Sequence, residues 1–164
     1  MGDKTMNTMQ KYIAACACVL LGLSAAAYGQ QTASVTLETK TITVDYTAPA
    51  AGNRVAGSLH APADLAFKGF NVPKGDYTIY VLTDGPRWQL AVSKATSPQE
   101  ATGDPKQDIG RVPMLMIRPA APVTGCKIML SKIAPIAAEI QVVCADKAAS
   151  TSFRLDRGAN DSQW

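Results

Sequence analysis

One histidine, His60, serves the whole chain of 164 residues, and that scarcity removes several chemistries together. Zinc sites and Ser-His-Asp catalysis both draw on imidazoles oriented by partner groups, and a single ring supplies little for either. The sequence contains no phosphate-binding glycine loop, no dinucleotide fingerprint and no paired-cysteine metal motif. Its basic residues never cluster. Lys and Arg alternate with Asp and Glu, so the positive footprint that nucleic-acid binding requires is missing, and the net charge of +3 decides nothing about partners. Beyond the N-terminus there is no amphipathic stretch of helical length, about 10–12 residues or more.

What is present begins with a leader. Lys4 and Lys11 precede the apolar run "YIAACACVLLGL", and the small-residue stretch "SAAAYG" follows it. A charged start, an apolar middle and a small-x-small end describe a secretory signal peptide with a helical centre, residues 1–29, cleaved after Ala27 or Gly29. The run at 12–23 is too short to span a bilayer, which takes roughly 20 residues. A lipidated cysteine at "IAAC" is also excluded, because most of the apolar run follows Cys16 instead of preceding it. Cleavage removes Asp3, Lys4 and Lys11 and lowers the formal charge to +2. It removes Cys16 and Cys18 as well. Cys126 and Cys144 remain, and in a periplasmic or secreted protein such a pair is expected to form a disulfide. The mature chain carries no expected membrane span; it divides into one domain, 30–156, and a tail, 157–164.

The body is built of short runs rich in Val, Ile, Thr and Tyr at alternating positions, separated by Gly, Pro, Asn and Asp. That pattern predicts an all-β antiparallel sandwich of about eight to ten strands. "ASVTLE" (33–38) and "KTITVDYT" (40–47) form a first hairpin. "RVAGSL" (54–59) is a weaker strand, and "ADLAF" (63–67) and "GFNV" (69–72) flank a small turn. "DYTIYVLT" (76–83) and "RWQLAVSK" (87–94) pair across "DGPR", which sets Val81 opposite Leu90 and Ile79 opposite Val92. Tyr77, Ile79, Val81, Leu90 and Val92 then share the core face, because side chains alternate with a period of two. Thr78, Tyr80, Leu82, Gln89 and Ala91 share a face that meets solvent or a loop. A polar loop, 95–109, leads to "GRVPMLMIRP" (110–119), "GCKIMLSK" (125–132), "AEIQVVCAD" (138–146) and "STSFRLD" (150–156). If "IAPIA" turns one hairpin, Cys126 faces Cys144, Ile128 faces Val142 and Leu130 faces Ile140. The alternation that buries the aliphatic side chains thus opposes the two sulfurs.

"TITVDYTAP", "VPKGDYTIYVL" with "WQLAVSK", and "DIGRVPMLM" through "KIMLS" resemble an exported bacterial family catalogued as domain of unknown function 2911. The resemblance runs in order from about Thr41 to about Leu155. It implies a small periplasmic or secreted β-sandwich and no particular activity. Members of that family usually carry a longer segment after the "GR" that matches Asn53-Arg54, of the form "G-G-L-V-P-Y-G-x-V-W-R-x-G-A-N". Here "NRVAGSL" runs almost directly into "HAPADLAF", so the resemblance is that of a shortened member.

Several constellations are candidates for a site. Tyr80, Trp88 and Gln89 would make a flat platform for a sugar or peptide, and Trp and Tyr are common binding anchors. The competing role for Trp88, packing at the end of the sheet after a turn, is favoured by its position. Met114, Met116 and Met129 are soft donors of the kind copper(I) takes, yet methionine at alternating strand positions is the ordinary mark of packing. Glu100, Asp104 and Asp108 lack the spacing of a calcium loop. His60 has Asp64 four residues on, without a nucleophile motif beside it. No metal, cofactor or catalytic residue is therefore expected. The expected role is an exported, non-enzymatic binding or structural module whose partner is an envelope component or small ligand. A periplasmic hydrolase-like or copper-binding protein is the alternative.

Overall fold

The computed structural model describes residues 29–47, 54–101 and 103–158. Residues 1–28 of the expected leader, and the tail from Ala159 on, lie outside the described residues. Hydrophobic alternation builds the first sheet. β1 (Gln30–Leu37) and β2 (Lys40–Thr47) form a hairpin over eight consecutive residue pairs, and Glu38 takes a left-handed φ of 53° in its two-residue turn. β3 (Ala56–Ala61) joins β2, and β6 (Gly75–Leu82) joins β3. β7 (Gln89–Ser93) and β8 (Asp108–Pro113) complete the order β1-β2-β3-β6-β7-β8, called sheet A below. The weakest strand reading, 54–59, is thus a central strand. Sequence made it look weak because Gly57 occupies a core-facing position, opposite Tyr46. A Cβ on Gly57 would lie 3.1 Å from the Tyr46 Cβ and 2.9 Å from the Asp45 carbonyl oxygen. The glycine makes room for the ring.

Sheet B is assembled from distant parts. β10 (Cys126–Ala134), β11 (Ala137–Cys144) and β12 (Lys147–Leu155) form a meander. Beyond β12 lie β4 (Leu65–Phe67), paired with β5 (Phe70–Val72), and β9 (Leu115–Ile117), which takes a different stretch of the same edge of β12. The two antiparallel sheets pack face to face as a sandwich, with β1 running beside β10 and β5 beside β8. Leu37, Ile42, Val44, Ile79, Leu90 and Val92 from sheet A meet Ile128, Val142, Ala149 and Phe153 from sheet B in one core. Phe67 stacks on Phe70 at 5.2 Å between centroids and lies 5.4 Å from Phe153.

Twelve strands among the described residues exceed the expected eight to ten, and three of them have only three residues. The reading of 110–119 as a single strand needs correction. The chain leaves sheet A at Pro113, buries Met114, and enters sheet B at Leu115. Pro113 lacks the N–H that a continuing ladder needs, which is a physical reason for the break. The two hairpin registers hold residue for residue: Ile79↔Val92 and Val81↔Leu90, then Cys126↔Cys144, Ile128↔Val142 and Leu130↔Ile140. The cysteine sulfurs lie at disulfide distance and their Cα atoms 4.1 Å apart, the close spacing of an antiparallel pair that exchanges no backbone hydrogen bonds.

Candidate functional site

The outward face of sheet A is organised in rows, because directly opposed residues point the same way. One row runs Thr32, Asp45, Ser58, Thr78, Ser93, Asp108 across six strands. The next includes Ala56, Tyr80, Ala91 and Arg111. A β-bulge at Ile109 separates Gly110, opposite Val92, from Asp108, opposite Ser93. Asp108 and Arg111 therefore share a face although they are three positions apart, an odd offset. On an unbulged strand they would point apart.

That shared face builds a buried polar cluster. The Tyr80 hydroxyl donates to the Asp108 carboxylate, 2.7 Å from each oxygen. Arg111 Nε donates to the same carboxylate at 2.6 Å, while its Nη2 reaches the Tyr80 oxygen at 3.2 Å and the Gly103 carbonyl at 2.9 Å. The Asp108 side chain is only 4% exposed and that of Arg111 29%. Burial, followed by the bond to Asp108, pushes the Tyr80 hydroxyl above its ordinary pKa; the bond to Asp108 likewise raises Arg111. Tyr80 stays neutral and donates; Arg111 stays charged.

This cluster fastens the loop between β7 and β8 onto the sheet. Thr78 Oγ1 donates to the Ala95 carbonyl at 2.8 Å and Ser93 Oγ to the Gln107 carbonyl at 3.3 Å. Asp104 caps a 3-10 turn at Pro105–Gln107. Ala101 packs with Tyr80 and Ala91 in a small apolar cluster separate from the main core. Arg54 adds the last fastening: its guanidinium carbon lies 5.2 Å from the centre of the Tyr80 ring, and its Nη1 donates to the Ala101 carbonyl at 3.2 Å. Gly103, at φ +84°, takes a conformation that other residues rarely adopt.

The loop covers the β6–β8 half of the face and leaves the β1–β3 half open. Between them lies a cleft of about 510 Å³, lined by Gln30, Asp45, Tyr46, Thr47, Arg54, Ala56, Ser58, Pro98 and Gln99. The Tyr46 side chain is not a binding group, since it is buried and its hydroxyl donates toward Gln31 Oε1 and the Ile128 carbonyl. The groups on offer are one guanidinium, one carboxylate, two amides and two hydroxyls.

The expected platform does not form. Tyr80 is buried outward under the loop, Trp88 is buried inward in the main core, and Gln89 is exposed. Consecutive residues of an extended chain point to opposite faces, so Trp88 and Gln89 part company. The methionines diverge too: Met114 and Met116 pack against the core, whereas Met129 is opposed to Gln141 on the outward side. Glu100 accepts from Thr96, Asp104 caps its turn, and Asp108 serves Tyr80 and Arg111. His60 pairs with Asp76, directly opposite on β6, at 2.5 Å; Asp64 accepts the Lys74 N–H instead. Sequence reasoning passed over Asp45, Arg54 and Arg111. Asp45 was findable, as an outward polar position on a well-marked strand.

A family model matches residues 52–153, from ahead of β3 into β12, with the description "Protein of unknown function (DUF2911)". The chain belongs to that family. Arg54, Tyr80, Asp108 and Arg111 fall inside the matched segment, while Gln30, Asp45 and Thr47 precede it. The cleft thus lies where the family segment meets the preceding hairpin. No curated protein and no solved structure matches the chain at a significant level.

Proposed function

We propose that this family member is an exported, non-enzymatic β-sandwich of the cell envelope, periplasmic or secreted, that binds a ligand in the cleft between β1–β3 and the fastened loop. The observation that carries the reading is the cleft itself: about 510 Å³, lined by polar side chains and walled by a loop held through a buried network. A pre-ordered wall lowers the entropy lost on binding. The leader pattern and the opposed cysteines support export, since disulfides persist in oxidising compartments. The pairing of His60 with Asp76 supports binding over catalysis, because both side chains are exposed, at 57% and 83%, and His60 is not among the residues lining the cleft.

Equilibrium dialysis of the mature protein against a low-molecular-mass envelope extract tests this reading, with Ser58→Trp and Thr47→Trp as cleft-filling variants. Both positions face outward, so unchanged melting temperatures are the control for folding. Retention of a small molecule by the wild type, lost in both variants, is expected. Retention that the two variants leave unaltered, or no retention, overturns the assignment of the cleft.

A further inference from the structure

The cleft is dipolar. Of the ion pairs among the described residues, none includes Arg54 or Asp45, although both line it. Arg54 is held from two sides by groups that leave its charge uncompensated: the Tyr80 ring and the Ala101 carbonyl. It also lies close against Gly103, where a Cβ would come within 2.9 Å of both Nη atoms. A guanidinium fixed in this way, with further N–H donors to spare, is pre-organised for a carboxylate. Asp45 accepts from the Thr32 hydroxyl, which orients its carboxylate without neutralising it.

The register sets the spacing of the backbone positions that carry these charges. Asp45 on β2 is opposed to Ser58 on β3, whereas the Arg54 guanidinium sits over Tyr80 on β6. Two strand spacings, roughly 10 Å, separate β2 from β6, and Tyr80 lies one row, roughly 7 Å, along the strands from the row of Asp45, so roughly 12 Å separates the two positions. A free amino acid is too short to bridge that distance. An extended chain advances about 3.3–3.6 Å per residue, so two to three residues fit. Ser58 stands on β3 between the two strands, and Thr47 and the amides of Gln30 and Gln99 line the same cleft; together they can serve both the donors and the acceptors of peptide groups.

We infer that the ligand is a short zwitterionic peptide of two to three residues, its carboxylate on Arg54 and its ammonium at Asp45. This rests on the cleft reading above and adds the ligand's chemistry. Electrostatic complementarity supplies the selectivity: an acidic ligand meets Asp45, a basic one meets Arg54, and only a ligand with both charges satisfies both.

Calorimetric titration of the mature protein with trialanine, N-acetyl-trialanine, trialanine amide and a neutral disaccharide tests the inference. Trialanine is expected to bind, and blocking either end to weaken it by about tenfold, the scale of one partly screened charge contact. Asp45→Asn should erase the difference between trialanine and its N-acetyl form. Arg54→Met should erase the difference between trialanine and its amide. Equal affinity for all three peptides overturns the inference, as does binding of the disaccharide alone. If no peptide binds while retention in the dialysis experiment still depends on Ser58 and Thr47, the ligand class falls and the site stands. If that dependence is also absent, both fall.

Discussion

The β6–β7 hairpin is buried on both faces, by two different kinds of chemistry. Inward, Ile79, Val81, Leu90 and Val92 meet the other sheet through apolar contact alone. Outward, Thr78, Tyr80, Ala91 and Ser93 are equally well covered, but by a loop that hydroxyls, a carboxylate and two guanidiniums hold down. Apolar burial scales with area and carries no pH dependence. A buried polar network holds only while every member keeps its proton and its partner. The same pair of strands therefore has one side indifferent to pH and one side sensitive to it.

The most forceful way to break the comparison is on the apolar side. Trp88→Ala empties a position 6% exposed within the main core and should cost about 3–5 kcal/mol by denaturant titration, equally at pH 7 and at pH 10.5. A loss under 1 kcal/mol would return Trp88 to candidacy as a surface anchor. On the polar side, Asp108→Ala strands the Tyr80 hydroxyl and the Arg111 Nε together. The expected cost is about 2–3 kcal/mol, less than for a fully buried pair because Arg111 reaches some water. Limited proteolysis should then cut within residues 95–107 well before the wild type is cut; an unchanged cleavage pattern would mean that the loop is held by something else. Tyr80→Phe is the mildest change, at about 1 kcal/mol for one hydrogen bond. Its value lies in the sign of its pH dependence. The folded Tyr80 titrates above the ordinary 10.0, so its stabilisation is complete below pH 10 and declines as the pH rises through the folded pKa. The wild type should lose stability over that range, and the Phe variant should lose less. Parallel curves would detach Tyr80 from the network.

The contrast also explains what the sequence could disclose. Alternating Ile, Val and Leu revealed the inward face and both hairpin registers, because a one-residue slip would expose the whole aliphatic set. The cysteine pairing came from the same constraint. The outward network stayed hidden for a local reason: the bulge at Ile109 puts Asp108 and Arg111 on one face against the period of two. Arg54 was hidden too, as it precedes β3 and works through the Tyr80 ring and a loop carbonyl instead of a strand partner. The apolar run at 112–117 disguised a change of sheet, since both halves pack side chains into the same core. The place of Trp88 directly after a turn favoured packing over a platform role, and its side chain points into the main core.

The way sheet B draws its strands from both ends of the domain has a kinetic meaning. Sheet A can grow largely by adding neighbours in chain order, each closing a modest loop. The contact of β4 with β12 joins Phe67 to Phe153, and β9 reaches the same strand at Ala149, so that edge waits for the end of the chain to be made. Loop closure of that span must precede any reward from it, which slows folding. A nascent chain that has emerged only as far as β8 already holds every strand of sheet A, with only the short β4 and β5 available to cover its inward face. The β10–β12 meander, with its cysteine clasp, is the lid that ends this exposure.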